Sequence, residues 1–441
     1  MDDREDHLEA IQKAFRAEGG ICHCVRYDPE AELSIAVFSG VRVLFIDLHL
    51  TAGTTSSDNK AHYANIANIL EQVISPIGGP FILVLWTEHP QTRDELRLYL
   101  DQSIDVEKPH ARPITVLAID KTSYIDIGTG QPKAEAPSLQ EALKAAVEEN
   151  PQLAALLRWE MEVVAAAAAT LSSILELVPA DQRTSSGYST SLDTTMSRLA
   201  VASLGTANAQ QNPRAAINTA LTPILSDRIL NQDDAIGSSA VWQIALSQIT
   251  NPNLGNYNEV QAGMINSMLH IARPPAETIP ANDWGAVVEF PYDLTDDQMG
   301  ALFGRTLEQL KRDVFGVKNE SGVDSWNSCT FRLVRIGAAC DYAQNQSGPI
   351  TLLLGVEGPI DAMSKNKRKG SEAEWRSPTF VLESGATPSE LRVNCRFPIV
   401  VPPSVLAGWT AAYRLREPLL MDLINHTARH NSRPGYIKAG K

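Results

Sequence analysis

Positive charge is scarce in this sequence: 38 Lys and Arg face 52 Asp and Glu, a formal net charge of −14 with an isoelectric point near 5.2. Nucleic acids and anionic membranes need a positive face, so a binder of either across its whole surface is excluded, while a local basic patch is not. Cysteine is scarce as well. The five, at positions 22, 24, 329, 340 and 395, are scattered and form no Cys-x-x-Cys pair, which argues against a disulfide scaffold. No run of about 18 uncharged apolar residues is present to span a bilayer. Met1 to Asp6 is acidic where a secretory signal would be basic. Together these absences predict a cytoplasmic protein.

What is present is the ordinary balance of a globular chain, 44% hydrophobic and 20% charged over 441 residues. At roughly 100–200 residues per domain, that length predicts two to four domains with ample core. Residues 1–130 alternate apolar runs with helix-like segments, the pattern of an α/β domain with a parallel sheet. Strands are expected at Ile21–Tyr27, Val41–Leu48, Phe81–Thr87 and Ile114–Asp120, and helices at Asp6–Ala17, Ala31–Phe38, Lys60–Ile74 and Thr92–Gln102. A Gly- and Pro-rich linker, Gly128–Pro137, leads into an all-α region over 138–275, in which the Ala-rich stretch Gln152–Val178 is the longest helix expected. After Pro274-Pro275, residues 280–441 read as an α+β domain. Its strands are expected at Ala286–Phe290, Thr330–Ile336, Ile350–Val356, Thr379–Leu382 and Leu391–Phe397, and its helices at Thr295–Gly304, Thr306–Val314 and Arg414–His430.

Ligands of a parallel sheet gather at the C-terminal ends of its strands. Three strand candidates of the first domain end on residues that carry chemistry: Asp47 after Val-Leu-Phe-Ile, Thr87 after Val-Leu-Trp, and Lys121 after Val-Leu-Ala-Ile-Asp. A carboxylate, a hydroxyl and an ammonium would then share one rim. The adjacent acids Asp2 and Asp3, just before the first helix, bring two more carboxylates to it.

This ordered set, with Asp47-Leu-His-Leu-Thr-Ala-Gly53 as its loop, resembles the response-regulator receiver family over about residues 1–127. The resemblance implies a flavodoxin-like fold with sheet order 2-1-3-4-5. It implies Asp47 as phosphoacceptor, Thr87 as the switch hydroxyl, Lys121 as the cation that pairs with the phosphoryl group, and Asp2, Asp3 and Asp47 as ligands of Mg²⁺. The physics agrees: a hard cation takes oxygen ligands, and Mg²⁺ with a lysine neutralises the group being transferred to a carboxylate. The resemblance further implies a histidine kinase or other protein partner, and a bacterial signalling setting, with conflict or phage-defence systems among the contexts for such domains.

The chain also departs from the family. The acidic pair stands at residue 2, so the strand that would lie centrally in the sheet does not precede it. A gap there would strand buried backbone groups, so a segment upstream, another segment of the chain, or direct pairing of the flanking strands must fill it. Polar Thr54–Asn59 and Lys108–Pro113 lengthen two connections, and Thr122 stands where the family usually has proline. These departures suit a diverged receiver, active or not.

Elsewhere, His426 and His430 lie one helical turn apart with Asp422 a turn before, a metal-ligand spacing or a solvated stripe. Cys340-Asp341 follows a strand and Cys22-His-Cys24 alternates along one; each reads as a nucleophile or ligand, or as packing. Lys365–Lys369 is a basic loop tip that could meet phosphate, beside an Arg-rich end that includes Arg433. Asp126–Gln131 carries a Gly-x-Gly without the strand-to-helix context of a nucleotide loop. Three functions follow. In the first, the receiver controls a C-terminal output module. In the second, the C-terminal domain is a metal-dependent nuclease or hydrolase using Asp341, Glu357, His426 or His430. In the third, the chain is a non-catalytic adaptor whose long helices suit homodimerisation or partner packing.

Overall fold

The computed structural model describes residues 1–17, 21–50, 59–131, 133, 135–232, 238–273, 279–318, 325–343, 348–364, 371–382 and 385–432. They form two compact units, residues 1–165 with 232–247, and residues 166–231 with 248–441. An N-terminal parallel sheet with helices, a helical middle and a C-terminal antiparallel sheet follow one another along the chain. Among the described residues, no helix is long and apolar enough to cross a membrane.

In the first unit, helix α1 (Glu5–Ala17) precedes strand β1 (Val43–Asp47), which α2 (Lys60–Val73) connects to β2 (Ile82–Thr87) and α3 (Arg93–Ser103) to β3 (Thr115–Asp120). The strands are parallel in the order β1-β2-β3, as crossover helices require. Alternation along each strand builds two cores. Leu44, Ile46, Leu83 and Leu85 meet Ile66 and Leu70 of α2 and Leu96 and Leu100 of α3. Ile82, Val84 and Trp86 face the other way, toward Ala10 and Ile11 of α1, and toward Leu139 and Leu153 of the helices α4 (Leu139–Glu148) and α5 (Pro151–Glu176). All six residues of β2 are consequently buried, as a central strand covered on both faces must be.

The expected strand at Ile21–Tyr27 does not form. That segment makes a single parallel bridge, Asp2 to Arg26. Met1 and Asp2 occupy the slot between 25–27 and β1: Tyr27 donates to the Asp2 carbonyl and Asp47 to the Met1 carbonyl, while the Met1 amine donates to the carbonyl of Phe45. The expected helix Ala31–Phe38 is likewise reduced to a 3₁₀ turn, Ile35–Phe38. Phe38 is the one buried residue of the segment, so a full helix would have no apolar face to anchor it.

The second unit is built on a seven-stranded sheet in the order β4-β10-β5-β6-β7-β9-β8: Ile271–Ala272, Ala411–Leu415, Ala286–Glu289, Thr330–Ile336, Ile350–Pro359, Ser389–Val401 and Glu374–Arg376. Every pairing is antiparallel, and both edge strands are only two or three residues long, which limits edge-to-edge association. One face packs Val288, Leu333 and Leu354 against Met299, Leu310 and Phe315. The other packs Val287, Val334 and Leu391 against Leu419, Leu420 and Leu423 of the closing helix Glu417–Asn431. That helix starts later than expected. Arg414 and Leu415 pair with β4 and β5 instead, and Pro418 fits the first turn that follows. The expected strand Thr379–Leu382 is only a bridge at Phe380, since the Val381 N–H is taken by Gly263 and Ser267 of the helix Glu259–His270. Gln309–Val314, expected as α-helix, is a π-helical turn.

Candidate functional site

Parallel pairing aligns the ends of the three N-terminal strands. Asp47 lies opposite Trp86, one step before Thr87, and Thr87 lies opposite Asp120, one step before Lys121. The rim therefore carries Asp47, Thr87 and Lys121 side by side, and all three are buried. Lys121 Nζ is 2.8 Å from Asp47 Oδ2. Removing two charges from water costs several kcal/mol per ion, so this pair persists because each partner, once buried, needs the other. The remaining Asp47 oxygen accepts a long hydrogen bond from His49 N–H at 3.4 Å, and Thr87 Oγ1 accepts from His89 N–H at 3.1 Å.

Asp2 reaches the same rim from the adjoining slot. It is fully buried; its Oδ1 accepts from Arg4 N–H at 3.0 Å, and among the described residues its Oδ2 has no hydrogen-bond partner. Burial, reinforced by the Asp47 charge, pushes its carboxyl up to about 7. Asp3, its neighbour in sequence, is half-buried and contributes its carbonyl to Arg26 instead. His7, in the first turns of α1, takes the third place in the cluster. Its ring is buried, and Nδ1, without a hydrogen-bond partner among the described residues, lies 3.5 Å from Asp2 Oδ2. Burial, aided by the Lys121 charge, lowers its basicity. One ligand atom each from Asp2, His7 and Asp47 lie within 4.8 Å of one another, a group that could hold a metal ion.

A second histidine cluster lies beside the rim. The His49 ring stacks edge-on against His62 at 4.6 Å and His89 at 5.6 Å. Burial and the neighbouring His62 lower the basicity of His49. Sequence reasoning had no place for these histidines or for His7. The signal for His7 was its position five residues after Asp2, near the start of a helix that leads away from the rim.

The other candidates do not assemble into comparable sites. Among the described residues, the group that could hold a metal contains none of Asp341, His426 and His430. Asp341 is exposed on a short helix, Ala339–Ala343. Asp422 accepts the indole N–H of Trp375 at 2.7 Å, and Glu357 sits in the sheet between Tyr413, which donates its hydroxyl, and Arg332 at 3.2 Å. Cys329 and Cys395 are buried thiols pushed up by that burial. Cys22 and Cys24 place their sulfurs 3.9 Å apart on a cavity of about 320 Å³ lined by Leu8, Phe15 and Phe45, and burial pushes Cys22 up to about 11. The Gly-x-Gly segment closes on itself: Asp126 Oδ1 accepts from Thr129 N–H and hydroxyl. Arg433, Lys365–Lys369, Thr54–Asp58 and the Cys340 side chain lie outside the described residues.

Compared with protein-family models, with curated proteins and with solved structures, the chain matches none. The reading of the site therefore rests on its own geometry.

Proposed function

We propose that the N-terminal unit is a receiver-like, flavodoxin-type phosphoswitch of a cytoplasmic signalling protein, and that the second unit is the output it controls. The observation that carries this reading is the buried Asp47–Lys121 pair, with Thr87 and Asp2 on the same rim. A carboxylate held by one cation is an oxygen nucleophile whose product, an acyl phosphate, finds its counter-charge already in place. In the reaction, an Asp47 oxygen forms a bond to phosphorus as the donor's own bond to phosphorus breaks and its leaving group departs with the electron pair. Lys121 then bonds the phosphoryl oxygens in place of Oδ2. Thr87, now holding the His89 N–H, is on the neighbouring strand end to exchange that bond for one to phosphate. A divalent cation held by Asp2 and Asp47 would supply charge neutralisation to the same group.

The proposed partner is a protein phosphodonor such as a histidine kinase, with bacterial conflict or defence systems as the setting. The helix α5, which contains residues of both units, is the proposed route of transmission, and a second copy or partner along it is part of the proposal. Incubation of the full chain with a small phosphodonor and divalent cation tests the chemistry. The result expected is one base-labile, hydroxylamine-sensitive phosphate on the Asp47 peptide, lost in Asp47→Asn. No label, or label elsewhere, overturns it. A second reading, an adaptor whose receiver does no chemistry, draws on the depth at which Asp47 is buried, and the absence of label in the wild type would favour it.

A further inference from the structure

The rim offers more than the oxygen ligands that a magnesium site uses. We infer that Asp2, His7 and Asp47 form a site for a first-row transition-metal ion of the Zn²⁺ or Co²⁺ class, in which the His7 imidazole is a direct ligand and excludes Mg²⁺ as the favoured occupant. The inference deepens the receiver reading and relies on it for the ion's purpose, though not for its binding.

Burial and connectivity carry the argument. His7 is 1% exposed and Asp2 0%, yet among the described residues Asp2 Oδ2 and His7 Nδ1, 3.5 Å apart, have no hydrogen-bond partner. A buried polar atom left without a partner costs about 1–3 kcal/mol, and two of them face each other here. A metal ion satisfies this pair at once, because it accepts a lone pair from one His7 nitrogen and from each carboxylate and offsets the repulsion between Asp2 and Asp47. Hydrophobic replacement would also relieve the cost, so the choice of residues matters. Two carboxylates and an imidazole form a mixed oxygen and nitrogen set. Mg²⁺ takes oxygen and water in a strict octahedron and gains little from imidazole, whereas zinc, cobalt, iron and nickel bind it well. Lys121, held on the other oxygen of Asp47 at 2.8 Å, leaves one Asp47 oxygen for the ion and keeps the site from accumulating excess negative charge.

The test uses the full chain, stripped by a chelator, titrated with Co²⁺ and separately with Mg²⁺, in wild type, His7→Gln and Asp2→Asn. Wild type is expected to bind one Co²⁺ with visible d–d absorption and no thiolate-to-cobalt charge-transfer band, at least about 100-fold tighter than Mg²⁺. His7→Gln is expected to weaken Co²⁺ by at least about 10-fold and leave Mg²⁺ binding unchanged, while Asp2→Asn weakens both. His7→Leu keeps the test independent of folding defects: it should raise the stability of the stripped protein while abolishing stabilisation by Co²⁺. Equal affinity for the two ions, Co²⁺ binding unmoved by His7→Gln, a charge-transfer band from Cys22 and Cys24, or a destabilised stripped His7→Leu would each overturn the inference. No phosphodonor is present, so failure of the phosphoswitch reading leaves this result standing. Conversely, Asp47 labelling supported by Mg²⁺ would stand without it.

Discussion

Asp2 makes the stability of the first unit depend on pH in an unusual direction. Its carboxyl moves from an ordinary 3.8 to about 7 on folding, driven first by burial and then by the Asp47 charge. Between those values the native state holds a proton that the unfolded chain has released, so stability falls as pH rises, the reverse of a salt-bridged acid. At 1.36 kcal/mol per pH unit the full cost is about 4 kcal/mol, of which about 3 falls between pH 5 and 8. His7 works the other way. Its folded basicity lies below the ordinary 6.5, so its contribution grows with pH until about 6.5 and is then constant. Asp2→Asn keeps the shape and the hydrogen bond from Arg4 but removes the titration. The assay is urea unfolding in chelator at pH 5 and 8, read by hydrogen exchange of the β2 peptide so that the first unit alone is reported. The variant should gain about 3 kcal/mol on wild type between the two pH values. A difference that stays flat, or that shrinks toward pH 8, refutes the claim that an uncompensated buried carboxyl sits at this rim.

Other predictions follow from single contacts. Lys121→Met leaves Asp47 buried and unpaired and should cost about 3–5 kcal/mol of stability in the first unit, most of which is recovered in the double variant with Asp47→Leu; additive losses on urea unfolding would show that the pair is not coupled. Thr87→Ala removes the acceptor of the His89 N–H and should cost about 1 kcal/mol while leaving Asp47 labelling intact and its propagation to 87–92 lost, as hydrogen exchange would report. Gly285 has φ +83° and a Cβ there would lie 2.8 Å from the Leu415 carbonyl. Gly285→Ala should therefore destabilise the second unit by about 1–3 kcal/mol, and an unchanged melting profile would contradict that packing.

Much of the fold was legible because its strands are strongly patterned. Val43–Asp47, Ile82–Thr87 and Thr115–Asp120 are apolar runs bounded by turn residues, and each formed within two residues of its expected ends. What failed were elements whose existence depends on a partner remote in sequence. Ile21–Tyr27 has the composition of a strand, but among the described residues its one bridge is Arg26 to Asp2. Thr379–Leu382 lost its backbone donor at Val381 to a helix more than a hundred residues away. Arg414 reads equally as the start of a helix, and only its pairing partners decide otherwise.

The site divides in the same way. Asp47, Thr87 and Lys121 could be named because each ends a strand, and strand ends in a parallel sheet share an edge. Asp2 could be named from its neighbour Asp3, but the sequence gives the two acids equal claims. Only the slot geometry turns Asp2 inward and leaves Asp3 half-buried. His7 was hidden because its role depends on where α1 sits against the rim. The histidines at 49, 62 and 89 come from three separate loops and helices, and no periodicity links them.

The central claim is that the rim is a phosphoryl switch. Its most direct test adds beryllofluoride, a phosphoryl mimic, with divalent cation to the full chain and to Asp47→Asn, followed by hydrogen exchange across both units. The account predicts new protection at 47–50, 87–92 and 121–127 in wild type alone, with changes extending along Pro151–Glu176. Identical exchange in the two proteins would contradict it and leave the first unit as a scaffold.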